Sequence, residues 1–310
     1  MSPRSRLARP LTSVLRPVPQ QRRSPPPLNN THPATVASVF SHARQTQHAP
    51  FSSSSKPVSS SDPTESPLPP PSRKWLTELE LRIGRCLSFG CNREQTQLAS
   101  DILLILATEW RELTVGSEGY LSSGRRGLRN QQVVWGEMDS FGHVNNANYI
   151  RWAESARVNF IMYLAGADKS HSQEWRELMT PKGVGLIMKS IKAEYKLPIT
   201  YPDTISVYHK VRTFPEQADT SLILDCVVIS HVHKRVAART EEDIVVYDYA
   251  AAQKTFIPDF ALRAFRGIWR QQNEESQATR ARILGLESRV EALERLTWNK
   301  EGAVEDMGGR

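Results

Sequence analysis

Asp139, His143 and Asn146 stand close together in the run Trp135-Gly136-Glu137-Met138-Asp139-Ser140-Phe141-Gly142-His143-Val144-Asn145-Asn146-Ala147-Asn148-Tyr149. A carboxylate precedes a tight turn at Gly142, and a helix is expected to start near Asn145 or Asn146. The first N–H groups of a helix have no intrahelical acceptor and sit at the positive end of its dipole. They can hold a developing oxyanion. A carboxylate beside them suits acyl transfer, either as general base on water or by attacking the acyl carbon itself. Each residue also has a plainer reading. Asp139 could accept the N–H groups of its own turn. His143 could orient substrate or water, or fix the turn through a backbone bond. Asn145 or Asn146 could serve as a helix cap. Glu137 reads as structural. Glu154 and Arg157, three apart on a helix, most simply pair with each other, with substrate contact by Glu154 as the alternative.

Several elements must position this run. A short strand is expected over Gln132–Met138 and a helix over Asn146–Leu164. The helix stripe is Tyr149, Trp152, Ala153, Ala156, Phe160, Tyr163 and Leu164, with Ile150 and Ile161 on another side. A helix apolar on more than one side must be heavily covered. Strand patterns follow at Gly185–Leu197, Thr204–Phe214, Ser221–Ile229 and Val236–Tyr249, broken at Pro198–Asp203, Pro215–Asp219 and His231–Arg235. They read as a four-stranded antiparallel meander covering the helix, an α+β arrangement.

At these residues the chain resembles the hot-dog-fold acyl-thioester hydrolases, specifically the 4-hydroxybenzoyl-CoA thioesterase-like group. The matching pattern is Asp139, a short turn, Gly142-His143-Val144-Asn145-Asn146, Tyr149, then Glu154 and Arg157 on one helix. The bend Tyr195–Pro198 before Asp203-Thr204-Ile205 agrees with it, and the resemblance covers about 131–251. It implies a hot-dog fold, an antiparallel sheet wrapped around a central helix, here with added N- and C-terminal helices. It implies Asp139 as catalytic and the Asn146 N–H as the group polarising the thioester carbonyl; His143, from its place between them, is expected as a third catalytic residue. Gly142, Val144, Asn145, Tyr149 and Glu154 are then expected at the substrate. The substrate would be an acyl-CoA or acyl-carrier thioester, with no metal and no cofactor required. The family's site forms between two subunits, so a homodimer or higher homo-oligomer is implied. A hot-dog dehydratase is disfavoured, since it would want His five residues after Asp with an Asn between. Here His143 follows Asp139 by four and no Asn intervenes.

Charge and composition set the outer limits. Of 40 Lys and Arg in 310 residues, eight lie in residues 1–72, with only two of the 33 acids and 15 of the 20 prolines. The rest of the chain is near neutral, which argues against a nucleic-acid-binding face. Residues 1–61 hold no acid and are rich in Arg and Ser, the composition of a mitochondrial presequence, so a matrix location is expected. A disordered Pro/Ser tail is the alternative. Residues 1–72 thus read as presequence and linker, 73–128 as a helical extension, 129–261 as the hot-dog unit, and 262–310 as a C-terminal helix and tail. In the last, Ile283, Leu286, Val290 and Leu293 form a seam of about two heptads. The longest apolar run, Ile102–Ala107, is far short of the roughly 18 residues of a membrane span. Cys86, Cys91 and Cys226 make no disulfide framework, and Cys86 and Cys91 read as ordinary thiols. His231 and His233 read as a solvated hairpin tip or as contacts for coenzyme A phosphates, and Lys189, Lys192 and Lys196 invite the same pair of readings. The flanking helical regions motivate a second function, a non-catalytic hot-dog scaffold or subunit of a mitochondrial assembly.

Overall fold

A computed structural model describes residues 67–124 and 126–305, all within the unit Pro63–Arg310. The expected presequence over 1–61 lies outside the described residues, as do residues 62–66. The elements are α1 (Trp75–Ser88), α2 (Arg93–Gly116), β1 (Leu128–Gln132), α3 (Asn146–Ala167), α4 (Ser172–Glu177), β2 (Val184–Tyr195), β3 (Thr204–Val211), β4 (Ser221–Ser230), β5 (Arg235–Asp248), β6 (Gln253–Lys254) and α5 (Asp259–Leu296). Among the described residues no helix is long and apolar enough to cross a membrane.

The sheet is antiparallel in the order β1-β3-β4-β5-β2, with β6 on β5. This corrects the expected meander. Of the four expected strands, β3-β4-β5 run as neighbours in sequence, while β2 sits at the far edge beside β5, and β1 takes the place next to β3. Alternation tells which face a side chain takes but not which strand lies beside it. The chain from β2 to β3 therefore has to cross the end of the sheet, and it does so under the start of α3: Ile199 N–H donates to Tyr149 Oη (3.1 Å), and Val144 N–H donates to the Ile199 carbonyl (2.8 Å).

Both faces of the sheet are covered. Inward, Ile205, Val207, Cys226, Val228 and Ala238 pack against Tyr149, Trp152, Ala153 and Ala156 of α3. Further along, Val211, Leu222, Leu224, Ile244 and Val246 meet Phe160, Ile161 and Leu164, with Trp175 and the first turns of α5 closing the cluster. Outward, Tyr208, Val227 and Ile229 are buried against α1, α2 and the last turns of α5. These three occupy the alternate positions of β3 and β4, so strands apolar on both faces require a second helical layer. The arrangement is α+β and consistent with a hot-dog fold.

The helices start and stop for local reasons. Asn92 caps α2, its side chain accepting from Gln95 N–H while the Gln95 side chain accepts from Asn92 N–H, both at 2.9 Å. Helix α1 begins at Trp75 rather than Arg73, with the Ser72 carbonyl taking the Trp75 N–H. The expected two-heptad seam lies inside one unbroken helix, α5, which runs through 262. Its first turns, with Leu262 and Phe265, serve the inner core, and Ile283 to Leu293 serve the outer. Between them Gln272 pairs its side-chain amide with the Val211 N–H and carbonyl (2.8 Å each), covering polar groups at the end of β3.

Two expectations fail for packing reasons. The strand expected over Gln132–Met138 is β1 at Leu128–Gln132 followed by a single 3-10 turn, Trp135–Glu137. Val133 is buried, but Val134 and Trp135 face solvent, so the apolar run carries no strand alternation of burial. The hairpin tip at His231–Arg235 is not merely solvated. It docks on the outer helices: His231 meets Trp110 edge-on at 5.6 Å and Ser206 Oγ at 2.9 Å, and Lys234 pairs with Glu80 at 3.1 Å.

Burial, then the nearby Arg111 charge, lower the His231 pKa below its ordinary 6.5. The unfolded chain takes up this proton more readily, so the associated stability is present above pH 6.5 and is lost as pH falls below it. His231→Asn is expected to lose less stability than wild type between pH 7.5 and pH 5, read by urea unfolding; equal losses would refute the linkage. A second expectation concerns Gly127, where a Cβ would lie 2.2 Å from the Val207 carbonyl oxygen. Backbone on that side cannot yield without parting β1 from β3, so Gly127→Ala should lose about 1–3 kcal/mol in denaturant unfolding. An unchanged midpoint would show that β1 is free to move.

Candidate active site

The turn carrying Asp139 is built from local hydrogen bonds. Met138 and Val144 form an antiparallel bridge, Asp139 N–H donates to the His143 carbonyl (2.8 Å), and Gly142 N–H donates to the Asp139 carbonyl (3.0 Å). Gly142 has φ of +75°, a conformation that a side chain disfavours, which explains a glycine at this place. The Asp139 side chain accepts from Phe141 N–H through Oδ1 (2.8 Å). The plainer reading of Asp139 is thus realised in one oxygen. Oδ2 carries no hydrogen bond among the described residues.

The helix start follows at once. Asn145 is the cap, its side chain accepting from Ala147 N–H at 2.9 Å, and Asn146 is the first helical residue. The Asn146 N–H has no intrahelical acceptor by the geometry of a helix end. Asn148 N–H turns back to the Asn145 carbonyl at 2.9 Å, so Asn146 is left as the open donor of this end.

These groups share a cleft of about 320 Å³. Asp139, Phe141 and His143 line it from the turn, and Val144, Asn146 and Tyr149 from the start of α3. The remaining wall is Tyr195, Lys196, Leu197 and Pro198, where β2 ends and the chain begins its crossing. Tyr195 Oη donates to the Asn146 carbonyl at 3.2 Å, and its ring stands edge-on to Tyr149 at 5.2 Å. The cleft thus joins a carboxylate, an imidazole and a helix N-terminus over apolar and aromatic walls.

Of the eight residues expected from sequence, Asp139, His143, Val144, Asn146 and Tyr149 line this cleft. Gly142 shapes the turn, and Asn145 is occupied as cap. Glu154 is exposed on α3 and outside the cleft lining, because its place on the helix turns it away from both sheet and turn. Tyr149 is buried with its hydroxyl already engaged by Ile199 N–H, so it offers the cleft a ring rather than a free hydroxyl. Phe141, Tyr195, Lys196, Leu197 and Pro198 complete the lining and carry no local signal of a site. The last four form the bend Tyr195–Pro198, which only the strand order brings to the cleft.

The expected Glu154–Arg157 pair does not form. Arg157 reaches under α3 to Glu242 on β5 (2.7 Å), where His209 Nε2 (3.2 Å) and Thr240 Oγ1 (3.1 Å) also meet the carboxylate. Among the described residues, His209, Cys226 and Glu242 form the group with three possible metal-ligand atoms within 4.8 Å of one another. The donor set does not suit an ion. A guanidinium already holds the carboxylate, and a divalent cation would sit against that charge with both carboxylate oxygens taken. Burial pushes the Cys226 thiol well up, further from the thiolate that a metal would need. Of the lysines, Lys189 pairs with Asp243, and Lys192 and Lys196 pair with Glu194.

Residues 133–265 match the thioesterase-like superfamily. The matched stretch runs from two residues before the 3-10 turn into α5 and includes every residue of the cleft lining. Solved structures similar to the chain are distant. A thioesterase from Thermus thermophilus, complexed with coenzyme A and Zn, is 18% identical, covering 48% of this chain and 98% of that one, with a TM-score of 0.36. A putative thioesterase from Pseudomonas aeruginosa is 24% identical over 45% of this chain and 96% of its own, also at 0.36. A DHNA-CoA thioesterase from Staphylococcus aureus is 16% identical over 47% and 87%, at 0.33. No curated protein shows a significant match to the chain.

Proposed function

We propose that this protein hydrolyses an acyl-CoA or acyl-carrier thioester to the free acid and a thiol. The supporting observation is one cleft that holds both the Asp139 carboxylate and the open N–H end of α3. In this reading α3 is the central helix of a hot-dog unit, to which α1, α2 and α5 are additions. The thioester carbonyl oxygen approaches the Asn146 N–H, which stabilises the negative charge that develops on it. Asp139 takes a proton from the attacking water, or its carboxylate oxygen attacks the acyl carbon and water then releases the acid. In both routes the acyl C–S bond breaks, the sulfur leaves as thiolate and is protonated. His143, at the cleft wall, orients substrate or water. A second copy of the chain completes the acyl pocket, and residues 1–61 direct the protein to the mitochondrial matrix.

Thiol release across a panel of acyl-CoAs, short and long, aliphatic and aromatic, tests the reading; no release from any member would refute it. The helical layer over the outer face of the sheet favours one other reading, a scaffold within a larger assembly. Co-migration of native protein with a large complex, together with absence of hydrolysis, would select it. A small homo-oligomer with thiol release selects the enzyme.

A further inference from the structure

Glu137 lies outside the cleft, and sequence alone marks it only as structural. The geometry points to a more definite part, one that rests on the thioester reading: we propose that Glu137 is the positioning residue that sets the start of α3 against the Asp139 turn. It gathers four donors. Its Oε2 accepts from Val134 N–H (2.9 Å) and its Oε1 from Trp152 Nε1–H (3.2 Å). Its backbone carbonyl accepts from Asn145 N–H (2.9 Å) and from the Asn148 side-chain amide (3.0 Å). One donor belongs to the approach to the turn, and the other three belong to the cap and first two turns of α3.

The consequence for the cleft follows from chain order. Asp139 is two residues beyond Glu137, in the turn closed by the Met138–Val144 bridge. Holding the Asn145 N–H to the Glu137 carbonyl aims the cap, and the cap decides where the Asn146 N–H opens. Holding Trp152 to the carboxylate ties the same residue to the body of α3, where the Trp152 ring is buried beside Tyr149 at 5.3 Å. Carboxylate and oxyanion donor are thereby held by a single residue that touches neither substrate nor reacting atoms.

The chemistry selects a carboxylate. Val134 N–H and Trp152 Nε1–H are both donors, and each needs an acceptor oxygen. A Gln side chain offers one oxygen and one NH2, so one donor would face another donor. The backbone carbonyl bonds survive substitution, so the helix keeps its cap while its aim relaxes.

In the full-length protein, Glu137→Gln is expected to lower kcat about 10–100-fold through misplacement of the reacting groups, with KM and the thermal midpoint near wild type. Amide hydrogen exchange over residues 134–148 should quicken while the outer helical layer is unchanged. In a Trp152→Phe background the single Gln oxygen can serve Val134 and no indole donor is left to clash, so Glu137→Gln should cost less there than alone. The proposal is overturned by a kcat within about twofold of wild type, by unchanged exchange over 134–148, or by equal effects of Glu137→Gln in both backgrounds. Wild-type protein that releases no thiol would sink the thioester reading instead, and the exchange measurement then judges the anchor independently.

Discussion

Asp139→Asn is expected to abolish most thiol release, lowering kcat by about 10²–10⁴-fold, the usual worth of a general base. The substitution is chosen because of what it spares. The side-chain oxygen that accepts from Phe141 N–H is kept in Asn, so the turn closed by Met138 and Val144 should persist. What is lost is the charge and basicity of the other oxygen. KM and thermal stability should therefore stay near wild type, and only the chemical step should slow. A variant that hydrolyses acyl-CoAs as wild type does would reduce Asp139 to a turn residue. Asp139→Ala should be as inactive and also less stable, because the Phe141 N–H then loses its acceptor.

The largest effect on stability is expected at Arg157, away from the cleft. Arg157→Met would leave the Glu242 carboxylate fully buried without its guanidinium, which typically costs about 3–5 kcal/mol. Burial by itself would push the Glu242 carboxyl up. The hydrogen bond and charge of His209, with the charge and hydrogen bond of Arg157, outweigh that and hold it at about 2, against an ordinary 4.5. The sign follows directly. A carboxyl lowered in the folded protein contributes stability that is present above pH 4.5 and is lost as pH falls toward 2. Without Arg157 the carboxylate becomes a liability that protonation relieves, so the deficit of Arg157→Met should be largest at neutral pH and shrink toward pH 4. Adding Glu242→Gln should restore part of the lost stability, since a neutral amide can still meet Thr240 and His209. Urea unfolding at both pH values decides it: a deficit that is the same at each would mean no buried carboxylate had been exposed to view. The variant should retain thiol release where folded, because Arg157 lies three turns along α3 from its open end.

How much of this could be read from residues alone depends on distance along the chain. The helix over Asn146–Leu164 is found as Asn146–Ala167, because an apolar stripe at helical spacing and an Asn cap are local signals. The turn at Gly142 was visible for the same reason. The heptad seam of α5 is a local signal too, and the helix that holds it begins at Asp259, three residues before the expected 262. Trp135 misled in the other direction: it is apolar and lies in a run of β-favouring residues, yet it is 76% exposed beside a 3-10 turn. Arg157 shows the limit most clearly. Glu154 is a sound partner three residues away, but Glu242, on β5, is the one it takes, since only a buried carboxylate repays turning the guanidinium under the helix.

The order of residues along one short run was enough to put a carboxylate, a glycine turn and a helix N-terminus in succession, since each depends on backbone geometry within a few positions. The far wall of the cleft was not available that way. Tyr195, Lys196, Leu197 and Pro198 reach Asp139 only because β2 pairs with β5 at the opposite edge of the sheet, so that the following chain must cross beneath α3. Strand neighbours are chosen by packing and register over the whole sheet, a sum of many weak contacts between distant residues. No local pattern contains that sum.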